Sequence, residues 1–137
     1  ITVFVDSSVL FTAVNSPTGG SAKLFTISSL KLITSKVVLT EVERNVRKKL
    51  QSYHLDRFFM LVGKMTVLPQ IPDEKLITKA QKVIVAKDAV ILAEAKKAKS
   101  HYLVTLDRKH FLISSVSKFL SPQKAVTPKE LLQKVEE

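Results

Sequence analysis

The sequence predicts a three-layer α/β/α sandwich built on a mainly parallel central sheet. Short apolar runs that fit buried strands alternate along the chain with stretches of helical periodicity. The first run, residues 1–5 (ITVFV), has no polar–apolar alternation, as expected for a strand covered on both faces. With 45% hydrophobic residues in 137, the chain has material for one core and a single domain over 1–137.

The elements follow in order. After the first strand, Ser7 to Val14 begins a helix, and Asn15-Ser16-Pro17-Thr18-Gly19-Gly20 is the densest turn cluster in the sequence, hence a loop. Residues 21–30 suit a helix that packs through Ala22, Phe25, Ile27 and Leu30. A second apolar stretch at 32–39 is interrupted by Thr34-Ser35-Lys36. Thr40 and Glu43 have capping-box spacing. The helix they open would carry Val42, Val46 and Leu50 on one stripe, with Arg44, Arg47, Lys48 and Lys49 outside it. A helix at 55–64 supplies Phe58, Phe59, Leu61 and Val62, and 66–68 is a short strand closed by Pro69 and Pro72. Residues 73–85 are helical in composition. Asp88 to Lys99 is a clearer helix, with Ile91, Leu92, Ala95 and Ala98 inward and Glu94 and Lys97 outward. Tyr102 to Leu106 follows as a strand and Lys124 to Val126 as the last one. Thr127-Pro128-Lys129-Glu130 then opens a terminal helix with a capping box and Pro at its first position.

Composition narrows the function. Twenty-two Lys and Arg against 12 Asp and Glu give a net charge of +10, which favours a polyanionic partner, nucleic acid first. The absence of Cys excludes disulfides, thiolate metal sites and Cys nucleophiles. No apolar run approaches the ~20 residues of a membrane span, and residues 1–5 are too short for a signal-peptide core. A cytoplasmic location is the expectation. Three glycines, at 19, 20 and 63, leave neither a P-loop nor a dinucleotide fingerprint. His54, His101 and His110 lack zinc-ligand spacing, and His110 is read as a surface residue.

Four carboxylates stand apart from this inventory. Asp6, Glu41 and Asp107 each follow a strand, Glu41 also opening its helix, and Asp88 lies in the first turn of the helix before the fourth strand. A parallel sheet brings its strand ends to one rim, where ligands of such folds bind. Like charges ~4 Å apart repel by about 4 kcal/mol at an effective dielectric near 20, so a cluster of this kind raises pKa values or binds cations. Hard oxygen donors suit Mg²⁺ or Mn²⁺, ions that also serve phosphodiester displacement.

The segments VFVDSSVL (3–10), VVLTEV (37–42), DAVILAEAKKAKSHYLVTLD (88–107) and AVTPKELL (125–132) resemble a PIN domain. The third segment is the most diagnostic, because Asp88 and Asp107 bracket an amphipathic helix and an apolar strand at the family's spacing. The resemblance implies a metal-dependent endoribonuclease acting on RNA, of the VapC type found as the toxin of toxin–antitoxin pairs. Asp6, Glu41, Asp88 and Asp107 correspond to the acids that hold one or two Mg²⁺ or Mn²⁺. Ser8 and Thr105 match supporting polar positions. Independently of the resemblance, the basic run Arg44, Arg47, Lys48 and Lys49 reads either as a solvated helix face or as a phosphate track leading to the acids. An antitoxin protein and a homodimer are the implied partners, with no membrane. Glu43 competes with Glu41, but its capping-box position favours Glu41 as the site residue. Leu106 replaces a Gly found in many relatives, and Lys109 and His110 stand where a further acid can occur. These departures make a catalytically degenerate, nucleic-acid-binding PIN relative the alternative. From another class, a receiver-like or phosphatase-like protein would use Asp6 as phospho-acceptor.

Overall fold

The computed structural model describes residues 1–136. Val3, Phe4 and Val5 are fully buried, and the strand they form, β1 (Thr2–Val5), is the middle strand of the sheet. It pairs in parallel with β2 (Lys31–Thr34) on one side and β4 (Tyr102–Val104) on the other, with Phe4 opposite Ile33 and Leu103. The edges are β3 (Thr66–Val67) beside β2 and β5 (Lys124–Val126) beside β4, giving the order β3-β2-β1-β4-β5 with every pairing parallel. The predicted fold class is therefore the observed one.

The connections fix the layers. From β1 the chain runs through α1 (Ser7–Asn15), α2 (Gly20–Lys23) and a 3₁₀ turn at Leu24–Thr26 to β2, then through α3 (Lys36–Lys49) and α4 (His54–Val62) to β3. It next crosses back over the sheet through α5 (Glu74–Ala80) and α6 (Ala86–Ala98) to β4. From there α7 (Ser114–Leu120) leads to β5 and α8 (Pro128–Val135). Right-handed crossovers that reverse direction must lie on opposite faces, so α1, α3 and α4 form one layer and α6 and α7 the other. Buried Val9, Leu10, Ala13 and Val14 of α1, Val38, Val42 and Val46 of α3, and Ala89, Ile91, Leu92 and Ala95 of α6 meet the sheet in one core. Truncating a side chain such as Phe4 there costs about 3–5 kcal/mol.

Several boundaries depart from expectation. The helix proposed for 21–30 is a single turn plus the 3₁₀ turn. The Thr34-Ser35-Lys36 interruption is where β2 ends and α3 begins. Ser35 caps α3, its Oγ accepting from Val38 N–H at 3.3 Å. The apolar run 37–39 is therefore helical rather than extended, because Val38 extends the Val42–Val46 stripe one turn toward the N-terminus. Thr40 and Glu43 consequently form no capping box. The Thr127–Glu130 box is present, with both reciprocal bonds at 3.1 Å. Glu94 points inward, opposite to expectation: it is half-buried near Ser35, and burial raises its carboxyl pKa. Phe58 is buried while its neighbour Phe59 is exposed. No described helix is long and apolar enough to cross a membrane.

Candidate active site

The strand order reverses direction between β1 and β4, and open parallel sheets bind ligands at such a switch point, beyond the carboxyl ends of the strands. Asp6 stands at that position. Its backbone N–H donates to Val104 O at 3.1 Å, continuing the β1–β4 ladder by one residue. It occupies the N-cap position of α1 without capping it through its side chain, so the carboxylate is free for other work. Oδ2 instead accepts from Thr105 Oγ1 at 2.8 Å and from Ser8 Oγ at 2.9 Å. Each hydroxyl is oriented by a backbone donor: Asp107 N–H bonds Thr105 Oγ1 at 3.1 Å, and Leu106 N–H bonds Ser8 Oγ at 3.0 Å. The turn after β4 and the start of α1 thus grip one carboxylate between them.

The other acids face the same cleft, which encloses about 350 Å³ and is lined by Asp6, Glu41, Asp88 and Asp107 with Ser8 and Lys49 at its walls. Asp88, third residue of α6, is 8% exposed, and its Oδ2 is buried without a hydrogen-bond partner. Asp107 accepts from His110 N–H at Oδ1 (2.9 Å), and Oδ2 lies 3.1 Å from His110 Nδ1. Electrostatics register the convergence. Burial lifts the Asp6 carboxyl above its ordinary pKa against the hydrogen bonds of Thr105, Ser8 and the Ser7 backbone, and the Asp88 charge lifts it further. Burial also raises Asp88; Lys87 opposes the shift, Asp107 adds to it, His110 opposes it and Glu41 adds to it. A divalent cation fits this donor set, since it consists of oxygen ligands and includes a buried oxygen with unmet acceptor capacity.

The structure brings together Asp6, Glu41, Asp88, Asp107, Ser8 and Thr105. It corrects how Glu41 arrives: this residue is sixth in α3, not its opener, and reaches the cleft from a helix face it shares with Asn45. Glu43 pairs with Arg47 at 3.1 Å on the exposed side and lines neither cleft. Of the four basic residues read from α3, Arg44 and Lys49 face the clefts; Arg47 is taken by Glu43 and Lys48 is exposed away from them. His110 is not a bare surface residue but a half-buried neighbour of Asp107. The sequence also concealed a second cleft of about 580 Å³, lined by Lys36, Arg44, Gln70 and Lys87, which joins the first at Glu41, Asn45, Lys87 and Asp88. Two signals for it were present: Lys87 adjoins Asp88, and Asn45 lies one helical turn past Glu41.

Solved structures with the same architecture include VapBC2 from Rickettsia felis bound to a DNA fragment from its promoter. The match has a TM-score of 0.71 and 15% identity, covering 93% of this chain and 98% of that one. PAE2754 from Pyrobaculum aerophilum gives a TM-score of 0.67 at 15% identity, covering 99% and 96%. VapBC-1 from nontypeable Haemophilus influenzae gives 0.66 at 14%, covering 94% and 99%. At such identities these likenesses establish the fold. A search of curated proteins finds no match. The family model for the PIN domain matches residues 3–115, and the chain belongs to the PIN domain family.

Proposed function

We propose that this protein is a metal-dependent endoribonuclease that hydrolyses RNA phosphodiester bonds and serves as the toxin of a type II toxin–antitoxin pair. The observation that carries this reading is the convergence of four carboxylates from four separate elements at the switch point of a chain with net charge +10. PIN domains are generally nucleases, which supports the same conclusion.

Asp6, Glu41, Asp88 and Asp107 would hold Mg²⁺ or Mn²⁺. The ion, when bound, neutralises phosphodiester charge and lowers the pKa of the attacking water. Thr105 and Ser8 fix the Asp6 carboxylate so that it need not reorganise when substrate arrives. Lys87, at the junction of the two clefts, and Arg44 and Lys36 beyond it would bind the phosphates flanking the scissile one. Lys49, beside the acids, would do the same on the other side. The basic groove thereby draws a polyanion toward a pocket that would repel it alone.

The complexes formed by the VapBC relatives support an antitoxin protein as partner. The exposed Tyr53, Phe59 and Met60 at α4 offer apolar surface for a homodimer, and the reading places the protein in the cytoplasm. The test is RNA cleavage by the purified chain with Mn²⁺ or Mg²⁺, with chelator, and by Asp6→Asn. Cleavage that needs the ion and is abolished in the variant is expected. Chelator-resistant cleavage refutes the mechanism. RNA binding without turnover under every metal transfers the assignment to the degenerate nucleic-acid-binding relative, for which Leu106 and Lys109 already argue.

A further inference from the structure

His110 sits in the turn after β4, three residues beyond Asp107. The bond from its backbone N–H to Asp107 Oδ1 (2.9 Å) holds the Asp107 carboxylate against the His110 backbone. Its ring Nδ1 lies 3.1 Å from Asp107 Oδ2. One ligand-capable atom each from Asp88, Asp107 and His110 can be chosen so that all lie within 4.8 Å of one another. Donors bound at right angles with bonds of ~2.1 Å stand ~3.0 Å apart, so the imidazole nitrogen and the Asp107 oxygen are already at the separation of neighbouring ligands. A second observation comes from Asp88. It is 8% exposed, lines the acidic cleft together with Asp107, and leaves Oδ2 buried with no hydrogen-bond partner. Such an oxygen is costly to bury unless something electropositive meets it.

We propose that His110 is a metal ligand through Nδ1, making this centre a mixed imidazole–carboxylate site that selects Mn²⁺ or Co²⁺ over Mg²⁺. The inference rests on the metal-dependent reading above and deepens it. Mg²⁺ is a hard ion that favours oxygen ligands and retains its waters, whereas imidazole raises affinity for later first-row ions. Within the site, the ion would replace the close Nδ1–Oδ2 contact as the link between His110 and Asp107. The remaining ring nitrogen would carry the proton.

The test uses the full metal-free chain at a fixed neutral pH and reads metal binding itself. Mn²⁺ is titrated with free-ion electron paramagnetic resonance, Mg²⁺ by calorimetry, and the Mn²⁺ complex is examined by pulsed resonance for nitrogen coupling. We expect a nitrogen signal in the native protein. In His110→Ala, Mn²⁺ affinity should fall by about 10–100-fold, with Mg²⁺ affinity little changed. His110→Gln, which keeps a polar side chain of similar length, should lose the nitrogen signal while remaining folded. A native Mn²⁺ complex without nitrogen coupling overturns the proposal, as does an unchanged ratio of Mn²⁺ to Mg²⁺ affinity in His110→Ala. Both results leave the ribonuclease reading standing on its carboxylates. A native protein that binds neither ion overturns both.

Discussion

Replacing Asp88 with Asn should stabilise the metal-free protein while abolishing its response to metal. Asp88 and Asp107 have oxygens within 4.8 Å of each other. Two unit charges at that separation repel by about 3 kcal/mol at an effective dielectric near 20. The cleft is open to water, so screening reduces the gain from removing one charge to about 1–2 kcal/mol. An Asn amide would also donate where the buried carboxylate oxygen could only accept. For a domain of this size each kcal/mol moves the midpoint by about 3–5 °C, hence an increase of about 3–10 °C in chelator. A divalent ion at 100 times its dissociation constant adds about 2.7 kcal/mol to the native protein and should add almost nothing to the variant. Thermal unfolding with chelator and with Mn²⁺ therefore gives opposite rankings of the two proteins. A variant less stable than the native chain in chelator, or one retaining the full metal-induced shift, would refute the picture of an uncompensated carboxylate cluster.

Other consequences follow from the same geometry. Asp6 and Asp88 both have folded pKa values raised above the ordinary 3.8. Their stabilising contribution is therefore complete below about pH 3.8 and lost as pH climbs through the raised values. The stability difference between native and Asp88→Asn protein, measured by urea unfolding in chelator, should accordingly widen in the variant's favour from about pH 4 toward neutrality. A constant difference would contradict the assignment. Thr105→Val removes the donor to Asp6 and the acceptor of Asp107 N–H; a loss of about 1.5–3 kcal/mol is expected, with Thr105→Ser largely restoring it. Lys87→Ala and Arg44→Ala should each lower the slope of log affinity against log salt for single-stranded RNA by about 0.7, and Lys48→Ala should leave it unchanged. Equal effects at all three positions would mean diffuse attraction rather than a groove.

How legible this was depends on the range of each signal. β1, β4, α6 and the α8 cap were readable because their information is local: an unalternating apolar run, a helical stripe, a Thr-Pro-Lys-Glu box. The boundary of α3 was not, because β-branched Val37 and Val38 have strand propensity and the decision lies in the packing of Val38 against the core. The four acids were found through the topology they share rather than through their neighbours. Thus Glu41 reached the site for a reason other than the one first given, an internal helix face instead of a helix start at the end of a strand. His110 and the second cleft were missed for a related cause. Imidazole-to-carboxylate contact needs the β4 turn to curl back on itself, and the groove joins residues near positions 36, 44, 70 and 87; local spacing links pairs within a segment, such as Glu41–Asn45 and Lys87–Asp88, but not the segments to one another. Glu94 belongs with these: a helical wheel shows which face it occupies but not that α3 starts directly against that face.

The way the acids are held also bears on what they are for. A chain with ten excess positive charges could neutralise every carboxylate it buries. Elsewhere it forms such pairs, joining Lys23 to Glu136, Arg47 to Glu43 and Lys97 to Asp73 at the surface. Among the described residues none of Asp6, Glu41, Asp88 or Asp107 makes a salt bridge to Lys or Arg; the one basic partner is His110 at Asp107. Asp6 is fixed by two hydroxyls, each itself bonded by a backbone amide, which sets its position without supplying a counter-charge. A structural role alone would be served better by a paired cation, which relieves the cost of burial. Position held by neutral groups, with no counter-charge supplied and basic side chains along the approach, is the arrangement that the proposed cation-dependent cleavage of phosphodiesters requires.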